Sequence, residues 1–143
     1  MKSLVLDASV ALKWAIPSAE EPLTKESLQV LRRYKEGEID FVVPDVFWAE
    51  VGNVLWKGVR QRRWPQTVAE SAGLAIRAQD FTTVSSLTLL PDALKIAFAY
   101  DRCVYDCLYV ALAVQSKLDL ITADERLANA LAARLPVKWL GAF

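Results

Sequence analysis

The chain has 143 residues, a length that fits one domain able to bury most of the surface it would expose when unfolded. Hydrophobic residues make up 54% of it, which excludes a disordered chain and predicts a substantial core. Seventeen basic residues cancel seventeen acidic ones, so no global charge draws the protein to nucleic acid and only a local patch could.

In chain order, Ser3-Leu4-Val5-Leu6 is an apolar run closed by Asp7 and reads as a buried strand near residues 2–6. A short helix from Ala8 to Ala15 is stopped by Pro17, and a polar, acidic loop from Ser18 to Pro22 precedes a second helix to about Tyr34, ended by Gly37. After a strand near 40–43, Pro44-Asp45 introduces a helix carrying Glu50 to about Arg62. Trp64-Pro65 breaks it before a partner helix from about Gln66 to Ala78. A strand near 82–85 follows, and Leu89-Leu90-Pro91-Asp92 predicts the start of a helix to about Tyr100. Asp106 opens a helix to Lys117, a strand near 119–122 leads into Asp124, and a helix from Glu125 to Ala133 precedes a last strand near 137–140. Five strands alternating with helices predict an α/β fold with a parallel sheet covered on both faces.

The start of the chain has too short an apolar run for a signal peptide, and no stretch reaches membrane-spanning length. Cys103 and Cys107, one helical turn apart, read as buried reduced thiols, which points to a cytoplasmic protein without membrane contact.

Four carboxylates stand out by their settings. Asp7 and Asp124 close apolar strands, Glu50 shares a helix face with Val46, Phe47 and Val54, and Asp106 opens an apolar helix. In open α/β sheets, ligands bind beyond the carboxyl ends of the strands, where these acids should converge. Two carboxylates about 4 Å apart repel by roughly 4 kcal/mol at an effective dielectric near 20, so four need a cation or shared protons. The chain has no His and only two Cys, so an all-oxygen site suits Mg²⁺ or Mn²⁺ rather than zinc.

Each acid also has an ordinary reading. Asp7 can cap a helix, Thr122-Ala123-Asp124-Glu125 fits a capping box, and Asp106 suits the positive end of the helix dipole. Glu50 is the hardest to explain this way, because a mid-helix carboxylate on an apolar face needs a partner such as Arg102. Capping and ligation are compatible, one carboxylate oxygen serving each, and the four acids together outweigh any one.

Val5-Leu6-Asp7-Ala8-Ser9, Glu50-Val51-Gly52-Asn53-Val54-Leu55, Val104-Tyr105-Asp106-Cys107-Leu108-Tyr109 and Thr122-Ala123-Asp124-Glu125-Arg126-Leu127, in this order, resemble the motif blocks of PIN-domain ribonucleases, in particular VapC toxins of toxin–antitoxin pairs. The resemblance spans nearly the whole chain and implies a single PIN-like domain over residues 1–143. It implies a three-layer α/β/α sandwich around a parallel five-stranded sheet, and metal-dependent hydrolysis of RNA phosphodiesters. On it, Asp7, Glu50, Asp106 and Asp124 match the acidic quartet that holds Mg²⁺ or Mn²⁺, while Ser9, Thr122 and Asn53 match supporting polar positions. An antitoxin partner and a homodimer are implied as well. Cys107 stands where Ala is usual, a change that bears on packing more than chemistry.

The segment from Lys57 to Trp64 carries Lys57, Arg60, Arg62 and Arg63 without an acid and is the candidate RNA surface. Lys57 falls two turns beyond Glu50, about 20° around the helix from it. The bland alternative is a solvated helix end whose bases complement the dipole. A phosphatase of the aspartyl type would want a second Asp at position 9, which is Ser, and a phosphorylation receiver would want a late Lys where Asp124 stands. A non-catalytic PIN-like module that binds RNA or protein is the remaining alternative.

Overall fold

In the computed structural model, which describes residues 1–16, 18 and 21–143, five strands form one parallel sheet. The strands are β1 (Lys2–Leu6), β2 (Ile39–Pro44), β3 (Thr82–Val84), β4 (Asp119–Thr122) and β5 (Val137–Trp139), in the order β3-β2-β1-β4-β5. The helices are α1 (Ala8–Ala15), α2 (Thr24–Lys35), α3 (Val46–Arg60), α4 (Gln66–Arg77), α5 (Ser86–Tyr100), α6 (Val104–Ser116) and α7 (Glu125–Leu131). The sheet grows from β1 to β3 in one direction and then restarts beyond β1 with β4. Right-handed crossovers therefore put α1–α4 on one face and α5–α7 on the other, which is the expected α/β/α sandwich.

This reversal makes the gap between β1 and β4 the switch point of the sheet. The two strands pair in register, Leu6 opposite Ile121, so the residues that follow them, Asp7 and the Ala123-Asp124 turn, emerge side by side. Asp7 extends the pairing by donating its N–H to the Ile121 carbonyl at 3.1 Å. Central strand residues Leu4, Val5, Leu6, Leu120 and Ile121 are fully buried, as a sheet covered on both faces demands. Helix α6 is buried continuously from Cys107 to Ala113, which explains why it carries almost no polar face. An aromatic cluster of Trp14, Tyr34, Phe41, Phe47, Trp48 and Phe81 locks α1, α2 and α3 to β2 with tilted, edge-on and stacked ring contacts.

Several boundaries differ from the sequence expectation for identifiable reasons. Helix α5 starts at Ser86 rather than Leu89, because the Ser85 hydroxyl accepts from Leu87 N and Asp45 Oδ2 accepts from both Ser86 N and its hydroxyl. Pro91 thus lies inside the helix. The carbonyl left without a donor there belongs to Leu87, which is exposed and can meet water. Helix α6 begins at Val104, two residues before Asp106, and α3 ends at Arg60 with Arg62 in the left-handed region. Pro17, expected to stop α1, lies outside the described residues. Cys107 is buried as expected, with its thiol pushed up to about 11 chiefly by burial, but Cys103 is exposed. Among the described residues, no helix is long and apolar enough to cross a membrane.

Candidate functional site

The end of β1 delivers Asp7 to the switch point in extended geometry, and α1 begins at the next residue. Its side chain makes no cap bond to that helix. Both the Ser9 hydroxyl, at 2.7 Å, and the Thr122 hydroxyl, at 2.6 Å, instead donate to Asp7 Oδ2. The network continues, since Ser9 Oγ accepts from Ala123 N at 3.1 Å and Thr122 Oγ1 accepts from Asp124 N at 3.0 Å. Thr122, fully buried, therefore stitches β1 to the turn after β4 and fixes the rotamer of Asp7, leaving Oδ1 as the oxygen available to the cleft.

The predicted capping box centred on Thr122 is not formed. Asp124 is itself the cap of α7, accepting from Leu127 N on Oδ1 at 3.2 Å, which keeps Oδ2 out of the cap. Asp106 sits in the first turn of α6 and forms a long ion pair, 3.8 Å, with Arg102. Glu50 does not pair with Arg102: its Oε1 is buried without a hydrogen-bond partner, and so is the hydroxyl of Tyr109. The two groups influence each other's protonation, yet neither of these oxygens makes a hydrogen bond of ordinary geometry.

Asp7, Glu50, Asp106 and Asp124 all line one cleft of about 380 Å³, together with Ser9, Lys13, Glu21, Arg63 and Trp64 among others. Burial pushes the Asp7 carboxyl above the ordinary aspartate range against the pull of the Thr122 and Ser9 hydroxyls, and the charges of Asp106 and Asp124 push it further. Glu50 is raised in the same way, by burial first, opposed by Tyr109 and reinforced by Asp7 and Asp106. Tyr109 is held far above the usual phenol range by burial and by the Asp7 and Glu50 charges, so it stays a neutral donor.

Among the described residues, no three or more His, Cys, Asp or Glu side chains are gathered closely enough to form a ready-made metal cage. The residues nevertheless fit a hard divalent cation. The donor set is all oxygen, Glu50 keeps a buried and unpartnered oxygen, and neighbouring carboxylates raise the proton affinity of Asp7 and Glu50. A Mg²⁺ ion that keeps several waters requires few direct protein contacts, and mutual repulsion holds free carboxylates apart.

Of the other anticipated residues, Asn53 is exposed on α3 and lies outside the cleft lining, where Val54 takes the place at its rim. Arg63 lines the cleft, whereas Lys57, Arg60 and Arg62 do not. Arg60 stacks over the Trp56 ring at 5.2 Å and belongs to a separate groove between α3 and α4. Sequence reasoning passed over Tyr109, Lys13 and Glu21. Tyr109 had a signal, one turn after Asp106 on the same helix face.

Thr122→Val tests the stitching. It removes a charge-assisted hydrogen bond to Asp7 and the acceptor for Asp124 N, and is expected to cost about 1.5–3 kcal/mol of stability. Thr122→Ser keeps the hydroxyl and should retain most of that stability in urea unfolding, and a Thr122→Val protein as stable as the parent would show that the hydroxyl does not hold the turn.

A family model described as PIN domain matches residues 4–131, a span that includes all four acids. No curated protein sequence matches significantly. Among solved structures, the fold resembles a Pyrobaculum aerophilum protein with a TM-score of 0.71 at 20% identity, covering 99% of this chain and 85% of that one. A toxin–antitoxin complex from Klebsiella pneumoniae aligns with a TM-score of 0.63 at 15% identity over 94% of this chain and 95% of that one. VapBC2 from Rickettsia felis, bound to a DNA fragment from their promoter, aligns with a TM-score of 0.63 at 10% identity over 96% and 98%.

Proposed function

The chain belongs to the PIN domain family, and from that premise we propose that it is a Mg²⁺- or Mn²⁺-dependent endoribonuclease acting as the VapC-type toxin of a toxin–antitoxin pair. The observation that carries the reading is the aspartate at the sheet's switch point, clamped by two hydroxyls and facing three further acids across one cleft. Asp7 and Asp106 are the proposed direct ligands, with Glu50 and Asp124 completing the shell or orienting the attacking water. When bound, the cation supplies charge neutralisation at the phosphoryl oxygens and acidifies a water for in-line attack. The chain's own part is geometric and electrostatic. Ser9 and Thr122 hold Asp7 in one rotamer, and Asp124 spends one oxygen on its helix and keeps the other. Tyr109, neutral and buried, faces the Glu50 carboxylate with a proton to donate. With no His in the chain, proton transfer at neutral pH falls to the raised carboxylates, of which Glu50 is the best placed.

The antitoxin partner is proposed because one structural relative is a toxin–antitoxin complex and another is VapBC2 bound to a DNA fragment from their promoter. A homodimer is proposed on a different ground. Leu87, Leu90, Leu94 and Phe98 form an apolar stripe along one side of α5, with Leu87 83% and Phe98 86% exposed, and a second copy would cover it. Phe98→Glu is expected to convert the dimer to a folded monomer in sedimentation equilibrium, and an unchanged mass would move the contact elsewhere.

Incubation with a mixed pool of structured RNA tests the activity. Cleavage that requires Mg²⁺ or Mn²⁺ and stops with EDTA is the expected result. A protein that binds the pool and leaves it intact under every metal condition would instead be a non-catalytic PIN-like binding module.

A further inference from the structure

The acid-lined cleft poses an electrostatic problem for a polyanionic substrate. Besides the four acids, Glu21 also lines it, and among the described lining residues only Lys13 and Arg63 are cationic. Those two cations share one carboxylate. Lys13 Nζ lies 3.5 Å from Glu21 Oε2, and Arg63 Nη2 donates to Glu21 Oε1. One anion with an oxygen on each cation is the arrangement that the two non-bridging oxygens of a backbone phosphate would adopt.

Resting on the nuclease reading above, we infer that Lys13 and Arg63 form the phosphate grip of the cleft, and that Glu21 fills it as an internal anion which the substrate displaces. The two cations are held by the scaffold rather than by Glu21 alone. Lys13 is on α1, six residues after Asp7, with a side chain only 14% exposed. Arg63 follows the left-handed Arg62, and its N–H donates to the Gly58 carbonyl at 2.8 Å. Its guanidinium lies over the Trp64 ring at 5.0 Å. That ring is itself fixed, because Trp64 Nε1 donates to the Leu55 carbonyl at 3.0 Å and the ring packs where a Cβ on Gly58 would stand, 1.9 Å from Trp64 Cζ2. A glycine in the last turn of α3 thus allows the Trp to fold back and sets Arg63 at the cleft. Glu21, by contrast, is the exchangeable member: its side chain is 38% exposed, and its partner Arg63 is 50% exposed, so the pair is weak enough to be traded for another anion. Backbone phosphate carries no base identity, so the grip sets affinity and register and leaves sequence choice to other surfaces.

The test is fluorescence anisotropy of a short labelled oligouridylate, titrated over NaCl in the uncleaving Asp7→Asn background. Glu21→Gln is expected to tighten binding several-fold, while Arg63→Gln and Lys13→Gln weaken it and each lower the salt slope by about 0.7, the value for one single-strand phosphate contact. Lys13→Arg should keep the slope, which separates charge from packing. Combining Glu21→Gln with Arg63→Gln should erase the gain. Binding that is unchanged or weakened by Glu21→Gln, or a slope untouched by Arg63→Gln, overturns the inference and makes the trio a structural tie. Metal-dependent cleavage by the otherwise unaltered chain is scored separately. Cleavage without a Glu21 effect sinks the grip alone, and Glu21-sensitive binding without cleavage sinks the nuclease reading alone.

Discussion

Asp7→Asn is expected to lower RNA cleavage by about a thousandfold or more while leaving the fold intact. The reasoning joins two separate facts about this side chain. It is the carboxylate most committed to one position, with two hydroxyls on Oδ2, and it is one whose charged form the folded protein disfavours, through burial and the nearby Asp106 and Asp124. Asn preserves the shape and an acceptor for the hydroxyls but carries no charge for a cation. The metal-free variant should consequently melt at a higher temperature than the parent, because a buried charge among like charges has been removed. Loss of activity with a gain in stability is the signature of a functional carboxylate. Cleavage at the parent rate would remove Asp7 from the site, and lost activity together with lost stability would mark it as a structural hydrogen-bond acceptor.

The second large effect concerns pH and metal together. The native carboxyls of Asp7 and Glu50 lie above their ordinary values, so the folded state holds these protons more tightly than the unfolded state does. Their contribution to stability is therefore complete below the unfolded values of about 3.9 and 4.3, and it is lost as pH rises through the raised native values. Metal-free protein should become less stable, with respect to these two groups, as pH rises from about 4. A divalent cation binds the deprotonated native cluster and should reverse the trend, adding about 2.7 kcal/mol at a hundredfold excess over its dissociation constant. Urea unfolding at a series of pH values, with EDTA or with Mg²⁺, reads both effects. Mg²⁺-independent stability at pH 8, or a metal-free stability that climbs from pH 5 to 8, would contradict the account of the cleft.

Much of the architecture was legible because the strands are short apolar runs and two of them end in an acid. Leu4 to Leu6 and Leu120 to Ile121 are fully buried, and the acids that follow them emerge at the switch point. What periodicity gave for helices was a face, not the element that covers it. Glu50 was correctly read as turned inward, but the neighbour it meets is Tyr109 from α6, a residue distant in sequence, and not Arg102, which turns to Asp106. Asn53 was assigned by the family resemblance and Lys57 by helical angle, and neither lines the cleft; for Lys57 the two turns of rise along the helix, about 10 Å, outweigh its close angular match to Glu50. The start of α5 was misjudged because Pro91 looked like a first-turn proline, whereas Ser85 and the remote Asp45 supply the caps that begin the helix earlier. Lys13, Glu21 and Arg63 meet across three segments, and such ion pairs leave no periodic trace in the sequence.

The central claim is that these acids hold a divalent cation, and the most direct measurement is a Mn²⁺ titration followed by loss of the free-ion paramagnetic resonance signal. Saturable binding by the parent chain, weakened at least about tenfold in both Asp7→Asn and Asp106→Asn, is the expected result, a loss of the size seen when a metal site loses a supporting contact. Equal Mn²⁺ binding by the parent and both variants would place the cation outside this cleft and contradict the assignment.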